Sequence, residues 1–152
     1  MQRRHLSVAI LFATLFLVAC DMGRDMGPGR GMGPDRGMMA RHQADVPSDY
    51  AGMTNPVPAT EESLARGEEI YKTYCETCHG ADGMGNGPGG ENLDPPPAAI
   101  AHTSQMLGDD YLFWRISEGG AMEPFNSAMP AWKEALDEQE RWDVINYIRA
   151  LE

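Results

Sequence analysis

Cys75-Glu76-Thr77-Cys78-His79 constrains what this chain can become more than any other stretch in it. Two thiols three positions apart, followed directly by a histidine, have the spacing of covalent c-type haem attachment. The thiols reach the two vinyl groups on one porphyrin edge, and the histidine turns beneath the ring towards the iron. Two other chemistries use a Cys-x-x-Cys pair. A thioredoxin-like redox pair is expected beside a strand and a βα unit, and no strand pattern is present. A zinc site needs further ligands, and the one other cysteine is Cys20, far upstream. The motif therefore predicts one covalently attached haem c, with Cys75, Cys78 and His79 as its binding residues.

The segments around the motif read as helices. Over 61–74, Leu64, Gly67, Tyr71 and Tyr74 recur at spacings of three and four, and Thr60 stands where an N-cap is needed, ahead of Glu61 and Glu62. A second helix is predicted over about 109–117, with Leu112, Phe113 and Ile116 inward. A third, over about 137–151, opens on Asp137 with Glu140 three residues later, a capping-box arrangement, and carries Trp142, Ile145, Ile148 and Leu151 on one side. Between the first two lies a long loop rich in Gly and containing Pro95-Pro96-Pro97, and a loop of that length in a small domain usually wraps something functional. The expected fold class is all-α, with about three to five helices around the one haem.

Upstream, residues 1–19 read as a secretory signal peptide, since Arg3 and Arg4 precede about twelve mostly apolar residues, too few to span a membrane. Leu17-Val18-Ala19-Cys20 resembles the lipobox of bacterial lipoproteins, which implies cleavage before Cys20 and its acylation. The expected location is outside the cytoplasm, as a lipoprotein facing the periplasm on a membrane that the residue after Cys20 does not decide. Residues 20–59, rich in Met, Gly and Pro with no aliphatic side chain until Val46, read as a flexible linker. Its Met-Gly units at Met22, Met26, Met32 and Met38-Met39 are either low-complexity tether or soft ligands for Cu(I). Residues 60–152 are the folded domain. The formal charge of −11 argues against nucleic acid as partner, and residues 61–152 hold 18 acids against 6 bases, favouring a redox protein with a basic docking patch.

From these motifs the chain resembles the class I, monohaem cytochrome c family over about residues 61–152. The resemblance implies that Gly67 and Tyr71, eight and four residues before Cys75, pack the first helix against the last, with Trp142 and Tyr147 opposite. It also implies a methionine as second iron ligand shortly before the last helix. Met129, followed by Pro130, has the better context, Met122 is the nearer competitor, and Met84, Met106 and His102 are further candidates. A proline carbonyl, from Pro95, Pro96 or Pro97, is expected to orient His79. With both axial positions filled, the family chemistry is one-electron transfer rather than catalysis. The expected function is a membrane-tethered electron carrier between respiratory partners. The alternatives are a fixed haem subunit of a larger respiratory complex, a haem enzyme or sensor with a labile sixth ligand, and a copper-handling protein using the Met-rich linker.

Overall fold

Local capping sets the ends of the two long helices that frame the molecule. In the computed structural model the Thr60 hydroxyl accepts from the Ser63 amide at 3.2 Å and starts α2 (Glu61–Tyr74). Asp137 and Glu140 close a reciprocal capping box, at 2.8 and 2.7 Å, that starts α6 (Glu138–Ala150). The structure describes residues 36–151, all within a unit that runs from 34 to 152. The signal peptide, Cys20, Met22, Met26 and Met32 lie outside the described residues. The remaining helices are α1 (Arg36–His42), α3 (Glu76–His79), α4 (Ile100–Thr103) and α5 (Asp109–Glu118), with a 3-10 turn at Pro88–Gly90. Among the described residues six helices thus stand against an expected three to five; α3 and α4, four residues each, are single turns in the predicted loop, and α1 lies in the predicted linker. No strand occurs among the described residues, and none of their helices is long and apolar enough to cross a membrane.

The α2–α6 crossing is close because Gly67 has no side chain: a Cβ there would lie 2.2 Å from the Asp143 carbonyl oxygen and 2.8 Å from Tyr147 Cβ. Tyr71 packs on Tyr147 with ring centroids 5.3 Å apart. The expected inward stripe of α2 is shifted. Ser63, Gly67 and Tyr71 are buried, while Tyr74 is exposed and meets Trp132 at the surface. The reason is polar: Ser63 donates to buried Asp143 on α6 at 2.5 Å and accepts from Asn146 at 2.9 Å, so a hydroxyl is satisfied in the core. Trp142, expected opposite Gly67, instead stacks on Phe113 of α5 at 4.0 Å. α5 buries six of its ten residues, because α6, the 122–132 segment and the N-terminal segment cover different faces of it.

That N-terminal segment departs most from expectation. Residues 36–59, assigned by composition to the flexible linker, lie on the helical domain. Ala44, Val46, Tyr50, Met53 and Val57 pack against its core. Tyr50 donates to Glu118 at 2.5 Å, the Gly52 and Asn55 amides donate to Asp110 and Asp109 at 3.0 and 2.9 Å, and the Asn55 side chain donates to the Trp142 carbonyl and Asn146 on α6. A few partly buried apolar groups and well-placed hydrogen bonds repay an ordering cost that composition alone made prohibitive.

Candidate functional site

The first turn after α2 delivers the motif. Cys75 caps α2 and begins α3, so Cys75, Cys78 and His79 fall on one short helical turn, and all three line the same cavity. Both thiols are free. Burial, and then the neighbouring Cys78, push the Cys75 thiol up to about 12, as expected of a sulfur facing an apolar space. The loop beyond is tied back by the Tyr71 hydroxyl, which donates to the Gly80 carbonyl at 2.6 Å, and by the Gly85 amide, which donates to the His79 carbonyl at 2.7 Å.

His79 Nδ1 lies 3.0 Å from the Ala98 carbonyl. The acceptor expected from Pro95, Pro96 or Pro97 is therefore one residue further on: the three prolines line the cavity wall, and the first free carbonyl reaching the imidazole is Ala98's. A proton held on Nδ1 leaves Nε2 with the lone pair available for a metal. Burial holds the His79 pKa below its ordinary value, against a smaller upward pull from the Ala98 hydrogen bond, so the ring is neutral as a ligand must be.

Met129 enters the same cavity from the segment after α5. Gly119 makes this possible: its φ of +70° turns the chain out of α5, and a Cβ on it would lie 2.6 Å from the Met129 carbonyl oxygen. The Gly120 amide donates to that carbonyl at 2.8 Å, and the Trp132 amide donates to Ile116 at 3.1 Å, fixing the backbone on either side of Met129-Pro130. Met122 is absent from the cavity wall; its sulfur accepts from Arg115 at 3.6 Å. Met84, Met106 and His102 are exposed and outside the lining. The sequence-predicted residues Cys75, Cys78, His79 and Met129 are thus brought together, and the competitors are not.

The cavity holds about 1260 Å³, its open mouth included, and its walls are mostly apolar, with Ile100, Leu107, Leu112, Ile116 and Ile148 among them. Among the described residues its lining includes no Asp or Glu, and it does include Arg41, His42 and Arg115. Burial holds Arg115 below and Tyr111 above their ordinary pKa values, and the Tyr111 hydroxyl donates to the Arg41 carbonyl at 2.9 Å. A tetrapyrrole with an apolar body, two attachment points on one edge and carboxylates elsewhere fits this distribution of thiols, apolar wall and cations. Sequence reasoning did not identify Arg41, His42, Tyr111 or Arg115; the available signal was the spacing of Val46, Tyr50, Met53 and Val57, which marks residues 46–57 as packed rather than free.

Comparison with known proteins agrees with this architecture. The model of the family described as cytochrome c oxidase, cbb3-type, subunit III, matches residues 62–148, more than half of the chain. A thiosulfate dehydrogenase of Stutzerimonas stutzeri is 30% identical over 105 residues, covering 64% of this chain and 30% of the relative. The cytochrome c subunit of a quinone alcohol dehydrogenase of Gluconobacter oxydans is 34% identical over 90 residues, 55% of this chain and 17% of that one. The chain therefore spans less than a third of the length of either relative. A chain of the reducing HAO-like protein complex of Kuenenia stuttgartiensis shares the fold, with a TM-score of 0.51 at 24% identity, covering 71% of this chain and 49% of that one.

Proposed function

This chain belongs to the cytochrome c family described as cbb3-type cytochrome c oxidase subunit III, and from that premise we propose that it is a membrane-tethered carrier of single electrons between respiratory partners. The family carries covalently bound haem c and transfers electrons; when bound, the haem supplies a one-electron Fe(III)/Fe(II) couple. Cys75 and Cys78 would attach the haem, and His79 and Met129 would hold its iron. The observation that carries this reading is the convergence of these four side chains on one cavity from which Met122, Met84, Met106 and His102 are missing. Ala98 holds the His79 proton on Nδ1, Gly119 and Gly120 clamp Met129, and the wall around them is mostly apolar. Held by both His79 and Met129, the group would supply one-electron transfer rather than substrate binding.

The test is ligand-specific. Met129→Ala should abolish the far-red absorption band that methionine ligation gives a ferric haem, and Met122→Ala should keep it; the reverse result transfers the role to Met122. Absence of the band in the parent protein, together with ready carbon monoxide binding, would sink the carrier reading. Export and anchoring rest on the sequence of residues 1–20, and Cys20→Ser should release the protein from membranes into the soluble periplasmic fraction. A second reading, a fixed subunit of a larger complex, draws support from the relative named as a cytochrome c subunit. It predicts that the chain leaves mildly solubilised membranes in a stoichiometric complex, whereas a carrier leaves alone, docked transiently through its acidic surface.

A further inference from the structure

We propose that residues 36–59 are a strap that completes the haem pocket, and that Arg41 on this strap, with Arg115 on α5, binds the carboxylate side chains of the haem. The strap lies outside the 62–148 family match. Four ion pairs join side chains of the described residues, Arg66–Asp143, Lys72–Glu68, Lys133–Glu118 and Arg149–Asp109, and neither Arg41 nor Arg115 is in one. Arg115 is largely buried, its guanidinium stacked 3.5 Å over the Phe125 ring and bonded to the Gly119 carbonyl and the Met122 sulfur. These are neutral partners, and a buried cation without an anion is costly.

Arg41 is tied to Tyr111 on the same cavity wall. The Tyr111 hydroxyl donates to the Arg41 carbonyl at 2.9 Å, and the Arg41 charge acts both on that hydroxyl and on His42. Arg41, Tyr111 and Arg115 thus line one cavity whose wall carries no carboxylate among the described residues. A haem brings two carboxylates, which supply the missing anions. Pairing an ionised carboxylate with a cation removes negative charge from around the iron, and so disfavours the ferric state relative to the ferrous. The strap then does more than cover the pocket: it raises the reduction potential.

The inference rests on this cavity being the haem site and not on which methionine ligates. Its test is the midpoint potential of full-length holoprotein carrying Arg41→Gln, Arg41→Lys, Arg115→Lys and, as a control of equal charge change, Lys72→Gln. Lys72 is exposed and lies outside this cavity. Arg41→Gln should lower the potential with the far-red band intact, Arg41→Lys should restore most of the difference, Arg115→Lys should fall between parent and Arg41→Gln, and Lys72→Gln should leave the potential in place. An Arg41→Gln potential no lower than that of Lys72→Gln overturns the proposal, and so does a shift accompanied by loss of the band, because that reads ligand exchange. Hydrogen exchange of residues 43–57 gives a second measure: protection should fall in Cys75→Ser/Cys78→Ser chain lacking haem, and unchanged protection there contradicts a strap held by the cofactor. A parent chain that carries no covalent haem fails the site assignment itself, a result distinct from either.

Discussion

Gly67→Ala sets two physical effects against each other, and the structure decides between them. Helix propensity alone favours the substitution by about 1 kcal/mol, because Gly is the weaker helix former and gives up more backbone freedom on folding. Packing opposes it. The new methyl would sit 2.2 Å from the Asp143 carbonyl oxygen, 2.8 Å from the Asp143 carbonyl carbon and 2.8 Å from Tyr147 Cβ. Two of these obstacles are helical backbone and cannot rotate away, so α2 and α6 must separate by roughly 1 Å to restore ordinary contact, a gap that forfeits a quarter to a half of the dispersion energy along the seam. Overpacking of this kind costs about 1–3 kcal/mol, and a backbone obstacle places it near the upper value.

The net expectation is a loss of about 2 kcal/mol, which for a domain of this size lowers Tm by roughly 8 °C. Thermal unfolding of the holoprotein, followed by far-ultraviolet circular dichroism, measures it. Ala65→Gly is the matched control: Ala65 is exposed on the same helix, so the substitution should cost only the propensity, about 1 kcal/mol. A Gly67→Ala protein that melts at or above the parent temperature would mean that the helices do not approach at this point, and the account of the α2–α6 seam would have to be abandoned.

Two further outcomes follow from buried and paired carboxyls. Asp143 is fully buried and accepts from Ser63 and from Arg66 at 2.5 and 2.8 Å, so Asp143→Ala should lower stability by about 2–3 kcal/mol in denaturant titration, well beyond the effect of removing its half-exposed partner in Arg66→Ala. Hydrogen bonds from Tyr50 and Lys133 hold the Glu118 carboxyl below its ordinary pKa; a group lowered on folding stabilises above its unfolded pKa, about 4.3, and loses that contribution as pH falls through the folded value, so Tm should decline less steeply below about pH 4.5 in Glu118→Gln than in the parent.

What could be seen in the sequence was what depends on near neighbours along the chain. Thr60 and Asp137 act within three residues, and the ends of α2 and α6 follow from them. The Cys75-to-His79 turn is equally local, and Met129 was separated from Met122 by the proline that follows it. Errors arose where a partner comes from another element. Ser63 lies outside the stripe read over 61–74 and is buried because Asp143 and Asn146 supply its hydrogen bonds, while Leu64 and Tyr74, both in that stripe, are less inward than it implies. The acceptor for His79 is a backbone carbonyl, which every residue possesses, so no side-chain pattern could single out Ala98 over the prolines before it. Residues 36–59 were misjudged because composition counts apolar content, whereas this segment is held by individual polar bonds to α5 and α6.

The arrangement of charge along α5 ties these observations together. Three acids on that helix could have neutralised its one arginine, and each is occupied elsewhere. Asp109 accepts from Arg149 and from the Asn55 amide, Asp110 accepts from the Gly52 and Tyr111 amides, and Glu118 accepts from Tyr50 and Lys133. The strap is thus fastened at both ends of α5 by carboxylates, and among the described residues none of these acids pairs with Arg115. Between those two fastenings Arg115 faces the cavity together with Arg41. A strongly acidic chain whose described residues put no carboxylate on the pocket wall leaves that wall to an anion brought by the ligand, and the residues that hold the strap in place also occupy the acids of α5.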